Sequence, residues 1–225
     1  MAEPASLSVI DTEGVFAIGD RLSSVGKLER AVVVHEALNL LDEVGLDAVS
    51  TRALARRLGV EQPSLYWHFR DKRELLTAMA ASALIEHGEQ PLPDHDVPWR
   101  SWFLDNFRSF RRALLGRRDG ARLHAGTTPA GETRVRLLAK LRFLVDAGVP
   151  EDTAVAGMLA ASRFTVGSAL EQQADPDPHP DPDADTADGP SVPTHTQAFE
   201  AGLRLILVGL EQAAATTSPS ARVLP

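Results

Sequence analysis

The segment QPSLYWHFRDK, Gln62 to Lys72, gathers side chains that can grip a ligand: an amide (Gln62), hydroxyls (Ser64 and Tyr66), an indole (Trp67), an imidazole (His68) and a cation (Lys72). The concentration is unusual for this chain, in which aromatics are 5% of 225 residues and Tyr66 is the single tyrosine. Hydroxyl, imidazole and ammonium groups donate hydrogen bonds to phosphate oxygens, and a glutamine amide pairs with base edges, often adenine. The stretch from Ser50 to Arg73 adds Arg52, Arg56, Arg57, Arg70 and Arg73 against only Glu61 and Asp71. Polyanion binding is one reading of that pattern. A core aromatic cluster beside a solvated arginine face is the other, and the residue types alone do not separate them.

His124 and Glu171 raise a second chemistry, because both can donate to a metal ion. They lie far apart in the chain, two ligands make a poor catalytic site, and no third group converges with them. The absence of cysteine removes thiolate sites and disulfide frameworks. No nucleophile with an adjacent base stands out, so an enzyme is not expected.

The formal net charge of −8 argues at first against a polyanionic partner. Its distribution reverses that reading. Asp175, Asp177, Asp181, Asp183, Asp185 and Asp188 crowd a Pro-rich run without a single Lys or Arg, so most of the acidity sits far from the basic stretch. The N-terminus lacks a secretory signal pattern and no segment is long and apolar enough to span a bilayer. A cytoplasmic protein without a membrane partner is expected.

Helical periodicity positions these groups. Val34, Ala37, Leu38, Leu41 and Val44 form one stripe that Gly45 stops. Ser50 or Thr51 can cap a helix over Thr51–Leu58, which Gly59 ends, and Pro63 suits the first turn of a short helix over Gln62–His68. Asp71 with Glu74 resembles a capping box opening a helix that runs to His87. Further helices are expected over Trp99–Leu115, Asp119–His124, Glu132–Ala147, Glu151–Gln173 and Gln197–Gln212. No strand period appears, so the fold class is all-α. The expected organisation is a flexible arm over 1–26, a three-helix unit with a helix-turn-helix suited to DNA over 27–71, a larger helical unit over 72–213 with an Asp/Pro-rich loop at 174–196, to which the family resemblance described below assigns effector binding and dimerisation, and a flexible tail over 214–225. In such a head Gln62, Pro63, Ser64 and Trp67 face forward into a major groove while Leu65 and Phe69 pack inward. The Arg-rich run Arg108 to Arg122 does not lie on one stripe and reads as a solvated face.

STRALARRLGVEQPSLYWHFRDKRELL, following ALNLLDEVGLDAV, resembles the DNA-binding domain of the tetracycline-repressor (TetR) family. The similarity continues through FRRALLGRRDGARLHAGTTP and FTVGSALEQQ. The resemblance implies a homodimer carrying two DNA-reading heads on double-stranded operator DNA. By position, Thr51, Arg52, Gln62, Pro63, Ser64, Tyr66, Trp67, His68 and Lys72 match family DNA contacts. Arg52 and Gln62 would read bases, Pro63, Ser64 and Trp67 would add apolar contacts, and Tyr66, His68 and Lys72 would hold phosphates.

The resemblance also implies an effector pocket. RLHAGTTP and ALEQQ match segments where tetracycline repressors hold a Mg²⁺–tetracycline chelate, so His124 matches a direct metal ligand and Glu171 a carboxylate that reaches the ion through water. Asn106, Phe110, Thr127 and Pro129 match drug-contact positions, and Phe164 is expected to line the same pocket with Phe110 and Phe143. Three positions depart from the pattern: Gly88 and Arg163 stand where the family has His, and Lys140 where it has Gln. Lys140 either brings a cation into the pocket or points to solvent. The expectation is a small-molecule effector, tetracycline-like or another polycyclic, polyketide-like compound, with Mg²⁺ entering only with a chelating effector and no cofactor needed for DNA binding. The helix from Lys72 to His87 is the expected lever between pocket and head, and Glu151–Gln173 with Gln197–Gln212 the expected dimer face. A DNA-binding dimer without an effector, or one answering a protein partner, is the alternative.

Overall fold

The computed structural model describes residues 29–88, 97–128, 131–175 and 193–217, and among them every regular element is helical. The first helix, α1 (Arg30–Val44), buries Val33, Val34, Ala37, Leu38, Leu40 and Leu41. It ends where Gly45, at φ +79°, donates its N–H to the Leu41 carbonyl. A 3-10 turn (Leu46–Ala48) leads to α2 (Thr51–Leu58). The Ser50 hydroxyl accepts from the Ala53 N–H at 3.1 Å, so Ser50 rather than Thr51 is the cap. Gly59 closes α2 in the left-handed region at φ +66°.

Helix α3 spans only Gln62–Leu65, shorter than the periodicity predicts. Tyr66 and His68 donate back to the carbonyls of Pro63 and Leu65, so the chain tightens into a turn instead of continuing as an α-helix. Helix α4 (Lys72–Ala83) opens as expected, with Asp71 accepting from the Glu74 N–H at 2.8 Å. The reciprocal bond differs, since Glu74 accepts from the Arg70 N–H. The helix also breaks early. Leu84 leaves helical geometry at φ −98°, ψ 8°, and a separate turn, α5 (Ile85–Gly88), follows. The expected lever is therefore two rigid pieces joined at one residue.

Two cores result. Val33, Ala37, Leu41, Leu54, Leu65, Phe69, Leu75 and Met79 form the smaller one, so α4 packs with the N-terminal head. The larger is built by α6 (Trp99–Leu115), α7 (Gly120–Ala125), α8 (Gly131–Asp146), α9 (Glu151–Ala174) and α10 (His195–Thr217) around Phe103, Phe107, Leu144, Phe199 and Leu203. Helix α10 extends past both expected ends, so residues 214–217 are helical; the expected arm over 1–26 and residues 176–192 of the expected loop lie outside the described residues.

The arginine run is only in part the solvated face expected: Arg112, Arg118 and Arg122 are exposed, but several of its members also tie elements together. Arg108 makes a two-pronged pair with Glu200 at 2.7 and 2.8 Å. Arg111 is buried, donates to Gln172 and lies over the Phe199 ring. Arg117 pairs with Asp42, Arg118 donates to the Glu43 carbonyl and Arg122 pairs with Asp47, which ties α7 and the turn before it to the end of α1 and the 3-10 turn after it. Asp119 completes the seam by accepting from the Leu46 N–H at 2.8 Å.

Gly120, the first residue of α7, sits against the end of α6, where a Cβ would lie 2.3 Å from the Leu114 carbonyl oxygen. Backbone cannot yield as a side chain can. Gly120→Ala is expected to destabilise the fold by about 1–3 kcal/mol, read by urea denaturation. An unchanged midpoint would show that α7 is not seated against α6 in this way.

Candidate functional site

The head presents a mixed polar and aromatic surface. Leu65 and Phe69 are 2% and 3% exposed, whereas Tyr66 is 50% and Trp67 is 89% exposed. Leaving an indole that open to water favours a partner surface over a core role. Arg52, Pro63 and Lys72 are exposed, and Thr51, Gln62, Ser64 and His68 are half-buried around them. The Gln62 amide nitrogen donates to Thr51 Oγ1 at 2.9 Å and to Tyr66 Oη at 3.4 Å, which holds this side chain between α2 and α3. Arg30 lies over the Phe69 ring at 4.6 Å and donates to the His68 carbonyl, clamping the turn after α3. Not every cation of the stretch faces outward for a partner. Arg57 is held by Glu36 and Glu43, and Arg70 by Glu74, whereas Arg52, Arg56, Lys72 and Arg73 have no acidic partner among the described residues.

A cavity of about 1060 Å³ opens in the larger domain between α5, α6, α7, α8 and α9. Its walls are mainly apolar, with Ile85, Phe110, Leu137, Leu141, Val166 and Leu170. Asn106, His124, Thr127, Lys140, Arg163 and His87 bring polar groups to it. The His87, Phe110 and His124 rings form a row, with centroid separations of 5.4 and 5.1 Å. A mostly apolar cavity of this size with a few converging polar groups suits a drug-sized, ring-containing molecule.

The expected pocket residues divide. Asn106, Phe110, His124, Thr127 and Lys140 meet at the cavity. Phe164 does not: it stacks on Phe199 at 5.7 Å and covers Gly202, where any side chain would collide with it, so it belongs to the α9–α10 contact. Phe143 packs on Trp102 in the core. Glu171 is exposed on α9 and lies outside the cavity lining that includes His124. Pro129 lies outside the described residues. His87, one position before the Gly88 that departs from the family pattern, brings an imidazole to the cavity, and that adjacency is the signal for it in the sequence.

Lys140 settles into the cavity wall rather than into solvent. Its Nζ lies 2.9 Å from His87 Nε2. Burial, then the nearby charge of Arg136, lowers its pKa to about 8. Burial lowers the His87 pKa to about 3, helped by the charges of Lys140, Arg112 and His124, and burial lowers that of His124 as well. At neutral pH both imidazoles are therefore uncharged while Lys140 is mostly protonated. The ammonium donates to His87 Nε2, which leaves the ring proton on Nδ1, a buried atom without a hydrogen-bond partner.

The donor set suits a hard cation poorly. Mg²⁺ prefers oxygen ligands. The imidazoles of the cavity are those of His87 and His124 and its one carboxylate, Glu132, is bound by Arg136 at 2.7 Å, beside neutral oxygens such as those of Asn106 and Thr127. Among the described residues no three His, Asp or Glu side chains cluster as a metal site. The described residues of one chain do not by themselves build a site for the ion.

The lowered pKa of Lys140 is also a statement about stability. The penalty for its buried charge is fully present below pH 8 and fades as pH rises toward 10.5, the ordinary lysine value. Lys140→Met is expected to raise the unfolding free energy at pH 7 by on the order of 2 kcal/mol. The gap to the parent chain should narrow between pH 8 and 10.5 in urea titrations. A gap that stays constant over that range would contradict the buried placement.

Comparison with known proteins supports the division into head and cavity. Residues 33–79 match the bacterial regulatory proteins of the tetR family, and residues 91–189 match the tetracyclin repressor-like C-terminal domain. The class C tetracycline repressor protein of Escherichia coli is 44% identical over 209 residues, covering 86% of this chain and 95% of that protein. A TetR-family transcriptional regulator from Streptomyces coelicolor is 55% identical, with a TM-score of 0.62 over 83% of this chain and 97% of its own. The class A TetR solved with 5a,6-anhydrotetracycline and magnesium is 43% identical, with a TM-score of 0.66 over 82% of this chain and 99% of its own. With an exposed reading helix on one core and a polycycle-sized cavity in the other, matched along most of its length to tetracycline repressors, the chain belongs to the TetR family of transcriptional regulators.

Proposed function

We propose that the protein is a ligand-responsive repressor that binds a palindromic operator as a homodimer in the cytoplasm and leaves it when a tetracycline-like or other polycyclic, polyketide-like effector fills the cavity. The observation that carries this reading is the path from α4 to α5. Leu75 and Met79 lie in the head core, and a few residues on, Ile85 and His87 form the cavity wall. Whatever shifts α5 can therefore pull on the head.

In this reading Arg52 and Gln62 contact base edges, Pro63, Ser64 and Trp67 supply apolar contacts, and Tyr66, His68 and Lys72 hold phosphates, with Thr51 steadying Gln62. Two heads on B-DNA must sit about 34–36 Å apart to enter successive major grooves. A small swing of α4 is enough to spoil that spacing. The effector acts by binding the wrongly spaced conformer more tightly, and it can shift the equilibrium only by that difference. The dimer would form through α9 and α10, whose outward faces expose Leu159, Leu205 and Val208. Two such helices from each copy make a four-helix bundle. A chelating effector would bring its own Mg²⁺ and find one described imidazole, that of His124, as a protein ligand. DNA binding needs no cofactor in this scheme, and no catalytic step is involved.

Operator titrations by fluorescence anisotropy test the head. Arg52→Ala or Gln62→Ala should cost about 1–3 kcal/mol and relax base preference at one position, whereas Lys72→Ala should weaken all sequences alike and lower the salt slope by about one. Unaltered affinity in all three would remove the DNA assignment. Release of the same operator by a polycyclic compound, with and without Mg²⁺, tests the effector.

A further inference from the structure

The cavity holds more positive charge than a neutral or cationic ligand needs. Arg136 and Lys140 come from α8 and the exposed Arg163 from α9 at its edge, while the carboxylate that lines it, Glu132, is bound by Arg136. No carboxylate lies within ion-pair distance of Lys140 or Arg163 among the described residues. The imidazoles of α5 and α7 add donors or neutral rings rather than countercharge, and Arg112 of α6 adds a further cation near His87. This is the reverse of the chain as a whole, whose net charge is −8.

A half-buried ammonium at the cavity wall, whose one protein hydrogen-bond partner is a neutral imidazole, has two further N–H groups that no protein acceptor among the described residues takes. Leaving such donors unmet is costly, and the cost disappears when an anion supplies the acceptor. Next to them His87 Nδ1 is a second buried donor without a partner. The apolar walls and the rings of Phe110, His87 and His124 fit an apolar, ring-bearing remainder of the ligand.

We infer that the effector carries an anionic group, a carboxylate or an ionised enol or phenol on a polycyclic frame, which docks on Lys140 Nζ without a metal ion. The inference rests on the effector reading above and narrows it. The ammonium occupies the charge role at this wall, so a cationic metal chelate would meet repulsion where an anion meets a partner.

The test uses two dyes that share one frame: 8-anilinonaphthalene-1-sulfonate, which is anionic, and N-phenyl-1-naphthylamine, which lacks the sulfonate. Both brighten in apolar cavities and can be titrated into the full chain in EDTA. The sulfonate is expected to bind about tenfold more tightly than the neutral dye. Lys140→Gln should abolish that preference and leave the neutral dye within about twofold of the parent value, while Lys140→Arg should keep the preference. The neutral dye thereby also reports that the variant cavity is intact. Equal binding of the two dyes by the parent chain, or a preference that survives Lys140→Gln, overturns the anion inference and leaves the effector reading standing. Binding of neither dye overturns both.

Discussion

Leu123 and His124 are neighbours on one short helix and serve two different surfaces, and that constraint organises the molecule. Leu123 is buried in the core of the head, and His124 lines the cavity of the larger domain. Successive residues of an α-helix point about 100° apart, so α7 cannot turn toward one side without turning away from the other. Around it, Arg117, Arg118, Asp119 and Arg122 fasten the same segment to the end of α1. Close-packed interiors do not deform smoothly; they move between discrete arrangements. A ligand that displaces His124 must therefore carry Leu123 with it or break that seam.

The break at Leu84 fits the same logic. A continuous helix from Lys72 to Gly88 would transmit motion as one rod. Two pieces meeting at one non-helical residue instead let α5 follow the ligand while α4 stays docked on the head through Leu75 and Met79. Hinges are commonly single positions of this kind, where a small change in backbone angle is absorbed. The ion pairs of the seam are partly exposed, and such pairs are individually weak. They favour one orientation of α7 without locking it.

Much of this was legible beforehand because local signals agree with the fold. Ser50, Gly59, Gly45 and Asp71 each punctuate a helix through a bond within four residues of the chain, and the structure shows each of those bonds. The inward turn of Leu65 and Phe69 also follows from a short amphipathic helix. What escaped is non-local. Arg117 meets Asp42, and Arg122 meets Asp47, across roughly a third of the chain, and no window of sequence contains both partners. Phe164 misled because an aromatic ring suits a ligand pocket and a helix crossing equally; only the glycine opposite it, Gly202 on α10, decides. The break at Leu84 carries neither Pro nor Gly to announce it.

Lys140 is where local rules are broken, and the breach is informative. A lysine beside an apolar wall, bonded to an imidazole that burial keeps neutral, lowers the stability of the unliganded protein. Natural sequences depart from self-consistency chiefly where function demands it. The cost is borne only by the empty state, because a ligand that supplies an acceptor removes it. The free energy released on binding then includes the relief of that penalty, and this part of the affinity depends on charge rather than on ring contacts. A cavity built from rings alone would accept many flat molecules. One that keeps an unmet ammonium at its wall discriminates among flat molecules by the sign of the group they present there.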